Sequence, residues 1–237
     1  MIQILKFLQN IDNLITYFFS NLSKEDKYLK KKFKNKSIIL VDIGSNLGGY
    51  IDLVKKNISI KEAHIFEPSI KCYKEIKKKF NYKNFFIKNQ AISNTNTFKK
   101  FYESEVLSQS SLHNKRNKFN SNLKYSDIYN VQCLTLNKYF KNKNRNFKID
   151  LIKIDTEGED LNVLYSASKL LKNKQIKIIK IELLNSLDKK SKKSNINEII
   201  FFLDKYNYCI DTITKTKFVN QKLLMMDVYF CKKEDRN

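Results

Sequence analysis

Glycine and proline are scarce in this chain of 237 residues, which has only four glycines and one proline. Three of the glycines lie within residues 44–49, the fourth is Gly158, and the proline is Pro68. Each of these places follows an apolar run that predicts a buried strand. Because turn residues are concentrated at strand ends, we expect the backbone shape to matter most there.

Cysteine and histidine are too few and too scattered to predict a metal site built from thiolates and imidazoles. The four cysteines form no C-x-x-C pair, so we expect reduced, mostly buried thiols of a cytoplasmic protein and no bound metal. The cysteines are Cys72, Cys133, Cys209 and Cys231, and the histidines are His64 and His113.

The formal net charge of +22 invites a nucleic-acid function. Arginine, the usual reader of base edges, is rare, and the lysines are scattered along the chain. The bias toward Lys, Asn and Ile is typical of A- and T-rich coding, which adds lysine everywhere. We therefore favour general solvation or weak polyanion attraction over specific nucleic-acid binding, and a phosphorylated or acidic sugar or an anionic membrane surface fits the charge as well.

A long apolar run is missing as well. Residues 1–20 are apolar but interrupted by polar side chains, and no small-residue cleavage site follows, so we expect neither a transmembrane helix nor a signal peptide. We favour an amphipathic helix that packs on the domain, and the alternative is weak contact with the inner face of a membrane. The predicted organisation is a helical extension over 1–34 and one domain over 35–237.

Predicted strands alternate with predicted helices between residues 37 and 184, which indicates a parallel sheet with right-handed crossovers and helices on both faces. Two further strands are predicted to be antiparallel at the sheet edge. The predicted strands are 37–41, 63–66, 85–87 running on toward 92, 149–154, 176–184, 208–214 and 223–231, with an extra hairpin strand at 97–102 and a short extended piece at 131–134. The predicted helices are 50–57, 70–80 with Ile70, Tyr73, Ile76 and Phe80 on one face, 136–141, 159–171 and 195–206.

Residues 41–49 (VDIGSNLGG) predict a strand, a glycine turn and the start of a helix. The helix N-terminus has unpaired N–H groups, so a carboxylate or a phosphate can bind there. Glu67 ends the second predicted strand, where an acid accepts hydrogen bonds from a ribose diol. The G-x-G-x-x-G pattern and the P-loop lysine are both absent.

A nucleoside with a small charged tail therefore fits these residues better than a dinucleotide or a nucleoside triphosphate, and S-adenosylmethionine is such a ligand. Asp42 would meet its ammonium group directly or through water, the turn N–H groups its carboxylate, and Glu67 its ribose.

The second motif is residues 153–158 (KIDTEG), at the end of the fourth predicted main-sheet strand. Strand alternation places Lys153 and Asp155 on one face, where the lysine holds the acid ionised. A methyl transfer to a hydroxyl needs a nearby carboxylate to take the proton, and Asp155 is the first candidate for this base. Glu182, at the end of the neighbouring strand, is the second candidate. The alternative is that Asp155 and Glu157 only cap the next helix.

Residues 104–127 predict a long polar loop that contains Ser110, Ser111 and His113. A lid over the substrate is the functional interpretation, in which Ser111 and His113 contact the acceptor. A mobile surface loop is the alternative, and we favour it for His113.

Taken together, five segments resemble the FkbM family of S-adenosylmethionine-dependent methyltransferases. The order and spacing of the motifs match over about 38–184, and their combination is more specific than the glycine turn alone. The segments are 41–48 (VDIGSNLG), 66–68 (FEP), 91–93 (AIS), 133–136 (CLTL) and 153–159 (KIDTEGE).

The resemblance implies an α/β fold of the class I, Rossmann-like methyltransferase type: seven mainly parallel strands, helices on both faces and the last strand antiparallel. It also implies O-methylation of a small molecule or a glycan, such as a sugar hydroxyl in polysaccharide biosynthesis. Asp155 and Glu157 would face the methyl group or the acceptor, and Ala91 the adenine. The full set of residues expected to bind the cofactor is Asp42, Gly44, Ser45, Asn46, Gly48, Glu67, Pro68 and Ala91.

Two positions depart from the family pattern: Asn137 stands where an acid is usual, and Asp160 replaces a small or apolar residue. Two other functions stay open from the sequence. An RNA methyltransferase is suggested by the net charge, and a non-catalytic protein would keep the fold and bind the cofactor without turnover.

Overall fold

A computed structural model describes residues 24–114, 123–184, 196–219 and 222–236. The predicted helix over 1–20 lies outside these residues, and the boundary at 34 and 35 stays a prediction. The elements are α1 (24–32), β1 (Ser37–Ile43), α2 (Gly49–Asn57), β2 (Ser59–Phe66), α3 (Ile70–Lys79), β3 (Phe85–Lys88), β4 (Ala91–Ile92), β5 (Phe98–Ser104), β6 (Tyr125–Leu134), α4 (Leu136–Tyr139), β7 (Ile149–Ile154), α5 (Asp160–Ser166), α6 (Ser168–Lys172), β8 (Ile176–Leu184), α7 (Ile196–Asp204), β9 (Tyr208–Val219) and β10 (Lys222–Lys232).

The main sheet has seven strands in the order β3-β2-β1-β7-β8-β10-β9. β1, β2, β3, β7 and β8 pair in parallel, whereas β10 is antiparallel to both β8 and β9. The predicted seven-stranded sheet with an antiparallel last strand is confirmed. The antiparallel strand lies inside the sheet, between β8 and β9.

Helices cover both faces of the sheet because its strands alternate buried side chains toward each face. Ile38 and Leu40 of β1 belong to a core cluster with residues of α1, α2 and α3. Val41 and Ile43 belong to the opposite cluster, which includes residues of α4, α5, α6 and α7. The predicted two-sided packing is therefore confirmed.

Helix α1 is part of the first core cluster. Its residue Leu29 is fully buried, and the following Phe33 is 5% exposed. Glu25 reaches the sheet, where its Oε1 atom accepts a 2.5 Å hydrogen bond from the hydroxyl of Tyr229 and lies 3.4 Å from Nζ of Lys180.

A second, three-stranded sheet interrupts the predicted alternation, with the order β4-β6-β5. The prediction ran β3 on toward residue 92, but Ala91 and Ile92 pair with β6 instead. β6 is also longer than the predicted piece at 131–134. Most of its side chains outside Val131 and Cys133 are at least partly exposed, so it carries no clear apolar alternation.

Two helix predictions need correction. Ile70 of α3 is 43% exposed, and the buried face of α3 is formed by Cys72 and Ile76. The helix predicted over 159–171 is two helices, α5 and α6, which meet at Ala167. Among the described residues, no helix is long and apolar enough to cross a membrane.

Candidate active site

A cavity of about 570 Å³ opens at the carboxyl ends of the parallel strands. Gly44 follows β1, Glu67 follows β2 and Asp155 follows β7, while Glu182 lies near the end of β8, and all four line this cavity. Residues 107–110, together with Leu112 and side chains of β9, form its other wall. This is the edge at which sheets of this kind bind their ligands.

The glycine turn brings the end of β1 against its neighbours. Gly44 has a φ of 72°, and its N–H donates a 3.0 Å hydrogen bond to the carbonyl oxygen of Phe66. A Cβ atom at Gly44 would lie 1.9 Å from the carbonyl oxygen of Asp155. Only glycine allows both this conformation and this close approach.

A buried lysine pairs with two acids beside the glycine turn, one in β1 and one just after β7. Nζ of Lys153 lies 3.3 Å from Oδ1 of Asp42 and 3.3 Å from Oδ2 of Asp155. Burial alone would lower the pKa of Lys153, but the two carboxylates outweigh it and raise the pKa, so the ammonium stays charged. The predicted neighbourhood of Lys153 and Asp155 is confirmed.

Asp42 is fully buried, and its Oδ2 atom accepts a 2.8 Å hydrogen bond from the hydroxyl of Ser45. Neither residue lines the cavity. Their carboxylate and hydroxyl therefore fix the turn from inside.

Glu67 is a buried acid at the end of the cavity that lies beside β2. Its Oε2 atom accepts a 2.7 Å hydrogen bond from the N–H of Asn46, and its Oε1 atom a 2.8 Å bond from the N–H of Ser69. Burial raises the pKa of this carboxyl to about 7, against the opposing effect of the two backbone donors. A carboxylate has about four acceptor sites, so each oxygen keeps one for a ligand hydroxyl.

Three further acids cluster in the cavity. Asp155, Glu157 and Glu182 each place a carboxylate oxygen within 4.8 Å of the others, close enough to share one cation. Burial raises the pKa of Glu182 to about 8, and the charges of Asp155 and Asp227 add to this effect. Glu157 has a φ of 57°, an uncommon conformation for a side chain of its size.

The loop before β6 is fastened to this acid-rich end. Ser111 is buried, and its hydroxyl donates a 3.0 Å hydrogen bond to the carbonyl oxygen of Glu157. Nε2 of His113 lies 2.9 Å from Oε1 of Glu159. Although burial opposes ionisation, His113, Ser93 and Lys99 lower the pKa of Glu159 to about 2. These contacts hold residues 107–112 over the cavity.

The structure thus separates the predicted site residues into two groups. Those that line the cavity are Gly44, Asn46, Glu67, Pro68, Ala91, Asp155, Glu157 and Glu182. Those that do not line it are Asp42, Ser45, Gly48, Ser111, His113 and Lys153.

Ser111 and His113 do not line the cavity, and their side chains contact the carbonyl oxygen of Glu157 and the carboxylate of Glu159. Their contact with an acceptor stays a prediction. The N-cap residue of α5, Glu159, makes no side-chain capping hydrogen bond. The alternative that Asp155 and Glu157 cap this helix stays a prediction.

Sequence reasoning missed one wall of the cavity. Lys215 and Lys217 of β9 and Met225 of β10 line it beside Glu182. No local motif marks these residues, and their place follows only from the pairing of β10 with β8 and β9.

The family model described as Methyltransferase FkbM domain matches residues 42–210. A search of curated proteins found no match.

Three solved structures share the fold at low sequence identity. A protein assigned as a methyltransferase from Streptococcus mutans, in complex with SAH, has a TM-score of 0.51 and 13% identity, and the match covers 88% of this chain and 95% of that one. An rRNA methylase from Streptococcus thermophilus has a TM-score of 0.50 and 11% identity, with 88% and 93% covered. A protein assigned as an rRNA methylase from Clostridium thermocellum has a TM-score of 0.50 and 12% identity, with 90% and 96% covered. The sheet is therefore that of the class I methyltransferases.

Proposed function

Because the chain belongs to the FkbM methyltransferase family, and its methyl donor is S-adenosylmethionine, we propose that it methylates a hydroxyl group of a small molecule or a glycan. The observation that carries the proposal is a single cavity with two chemically different ends. A buried acid suited to a ribose, Glu67, lies at one end. The carboxylates Asp155, Glu157 and Glu182, suited to an alcohol, lie at the other.

The residues at the first end fit the cofactor. Glu67 is 5% exposed, and each of its oxygens has one acceptor site left for a ribose hydroxyl. The cavity volume of about 570 Å³ falls within the range of roughly 300–1,000 Å³ that is common for ligand pockets. In this proposal Gly44 and Asn46 bind the methionine end, Glu67 and Pro68 the ribose, and Ala91 the adenine.

Four residues that do not line the cavity keep these groups in place. Asp42, Ser45 and Lys153 fix the glycine turn through their mutual contacts. A Cβ atom at Gly48 would lie 2.4 Å from the ring of Phe80, so this glycine allows α2 and α3 to approach each other.

When bound, S-adenosylmethionine supplies an electrophilic methyl group on its sulfonium. The acceptor hydroxyl must then lose its proton to a group of the protein. We assign this role to Glu182 and not to the first candidate, Asp155, because Asp155 is ion-paired with Lys153 whereas Glu182 lines the cavity without such a pair among the described residues. Burial also raises the pKa of Glu182 toward the working pH, where a base is most effective. Asp155 supports Glu182 through its charge and is itself held by Lys153.

The finer assignments belong to the same proposal. The acceptor is a sugar hydroxyl of a surface polysaccharide or of a sugar-containing metabolite, and the protein acts in the cytoplasm, with weak contact to the inner membrane face through residues 1–20. In this assignment Ser111 and His113 act on the substrate only by holding residues 107–112.

One observation favours a second candidate, an RNA methyltransferase: the net charge of +22. A protein that neutralises many phosphates binds RNA with a steep salt dependence. A shallow salt dependence of RNA binding would count against this candidate.

The test has two stages. Calorimetry should give binding of S-adenosylmethionine to the wild-type protein, weaker binding by Glu67→Gln, and no comparable binding of ATP or NAD. A radioactive methyl group on the cofactor should then appear in the carbohydrate fraction of a cell extract rather than in its RNA. Tight binding of ATP or NAD in place of S-adenosylmethionine would overturn the proposal.

A further inference from the structure

Two lysines line the cavity at the end away from Glu67. Lys215 and Lys217 are two residues apart on β9 and therefore point to the same face of the sheet. In the pairing with β10, Lys215 is opposite Asp227 and Lys217 is opposite Met225. Asp227 is in turn opposite Glu182 of β8, so the lysines lie two strands away from the proposed base.

These lysines differ from the buried lysines of the same sheet. Lys153 is paired with two aspartates, and Lys180 lies 3.2 Å from Asp227 and 3.4 Å from Glu25. Within the described part of the chain, Lys215 and Lys217 have no ion-pair partner within 4.0 Å. Lys215 is half-buried and Lys217 is exposed, and both residues line the cavity.

The cavity wall therefore has two signs of charge. Asp155, Glu157 and Glu182 are acidic, and Lys215 with Lys217 adds two positive charges beside them, neither of which forms an ion pair with a described residue. A neutral sugar would give neither ammonium group an ion-pair partner. A molecule with a hydroxyl on one side and an anionic group on the other would satisfy both parts of the wall.

We propose that the acceptor is a phosphorylated sugar whose phosphate binds to Lys215 and Lys217 while its hydroxyl lies beside Glu182. This inference rests on the proposed function and narrows its substrate class. Phosphate is favoured over a carboxylate because two ammonium groups match the double charge of a phosphate monoester. A cavity of about 570 Å³ that also binds the cofactor accommodates a small molecule more readily than a folded RNA.

The test measures the binding of glucose 1-phosphate, inorganic phosphate and glucose by calorimetry, with S-adenosylhomocysteine present. The variants are Lys215→Met with Lys217→Met, and a control, Lys169→Met with Lys172→Met, which removes two exposed lysines of α6 that do not line the cavity. Both phosphates should bind to the wild type and the control, and at least about tenfold more weakly to the β9 variant. Glucose should bind weakly to all three proteins.

Equal binding of both phosphates by the wild type and the β9 variant would overturn the inference. The inference would also be overturned if the β9 variant bound a single-stranded RNA more weakly than the wild type but bound glucose 1-phosphate equally well. If the wild type does not bind S-adenosylmethionine, the proposed function itself is overturned. The failure of this inference and the failure of the proposed function can therefore be told apart. Retained cofactor binding in the β9 variant verifies that it is folded.

Discussion

Nζ of Lys153 donates a 2.6 Å hydrogen bond to the carbonyl oxygen of Gly44. This bond joins the end of β7 to the glycine turn after β1, beneath the cavity. The lysine side chain is only 6% exposed, and the Asp42 side chain beside it is fully buried. The shape of the turn and the charge balance of the sheet therefore depend on the same ammonium group.

Replacing Lys153 by Met should lower the free energy of unfolding by about 3–5 kcal/mol, because Asp42 would be left as a buried charge without a cation. Urea denaturation measures this change. The double variant Lys153→Met with Asp42→Asn should lose less than the sum of the two single variants. A control, Lys177→Met, removes a half-exposed lysine paired with Asp150 and should cost at most about 1 kcal/mol. Additive losses in the double variant would contradict the coupling.

Gly44→Ala should destabilise the protein by about 3 kcal/mol or more and abolish cofactor binding. The left-handed conformation alone costs roughly 1–2 kcal/mol for alanine, and the new Cβ atom would overlap the carbonyl oxygen of Asp155. Gly49→Ala is the matched control, since a Cβ atom there meets nothing within 4 Å, and its effect should stay within about 1 kcal/mol. Thermal unfolding followed by circular dichroism tests both, and equal losses would refute the argument.

Glu67 should make the protein less stable as the pH rises. Its pKa of about 7 is above the ordinary value of 4.5, so between these values the folded state keeps a proton that the unfolded chain has lost. The stability that this proton contributes is complete below pH 4.5 and is lost as the pH rises through 7. Relative to Glu67→Gln, the wild type should therefore lose up to about 3 kcal/mol between pH 4 and pH 8.

Glu159 should have the opposite effect on the pH dependence of stability, which a comparison with Glu159→Gln measures. The pKa of Glu159 is lowered to about 2, so its contribution is present above pH 4.5 and is lost as the pH falls through 2. Denaturation curves at several pH values test both variants. Parallel difference curves for the two acids would contradict their assigned environments.

Glu182→Gln should leave the affinity for S-adenosylmethionine within about twofold of the wild type and lower the methyl transfer rate by roughly 10²–10⁴-fold. In the wild type the rate should rise with pH through about 8, and this rise should be absent in the variant. Transfer of a radioactive methyl group to the carbohydrate fraction is the measurement. The control is Glu198→Gln on the exposed side of α7, and an unchanged rate in Glu182→Gln would exclude this base.

The main sheet was predictable because its strands are short apolar runs and its scarce glycines and single proline lie at the strand ends. The glycine turn, Glu67 and the KIDTEG motif are each local in sequence, so pattern and propensity suffice to place them. The contact of Lys153 with Asp155 followed from strand alternation. The contact of Lys153 with Asp42 did not, because it depends on the register of β1 against β7.

The small sheet and the basic wall were not predictable for a physical reason. β6 is exposed along most of its length, so burial imposes no alternating pattern on its side chains. Lys215 and Lys217 look like any of the scattered lysines until β10 places them beside Glu182. The residue types of Ser111 and His113 suggested contact with a substrate. A loop has no regular hydrophobic periodicity, so the sequence does not predict the direction in which its side chains point.

The position of β10 between β8 and β9 has a consequence for biosynthesis. A ribosome makes β9 before β10, yet β10 is the one strand of the described residues with which β9 pairs in the finished sheet. The nascent chain can therefore form the half around the glycine turn early, while Lys215 and Lys217 reach their places only after β10 has emerged and paired with β8. During synthesis, the proposed cofactor end of the cavity would then form before the proposed acceptor end.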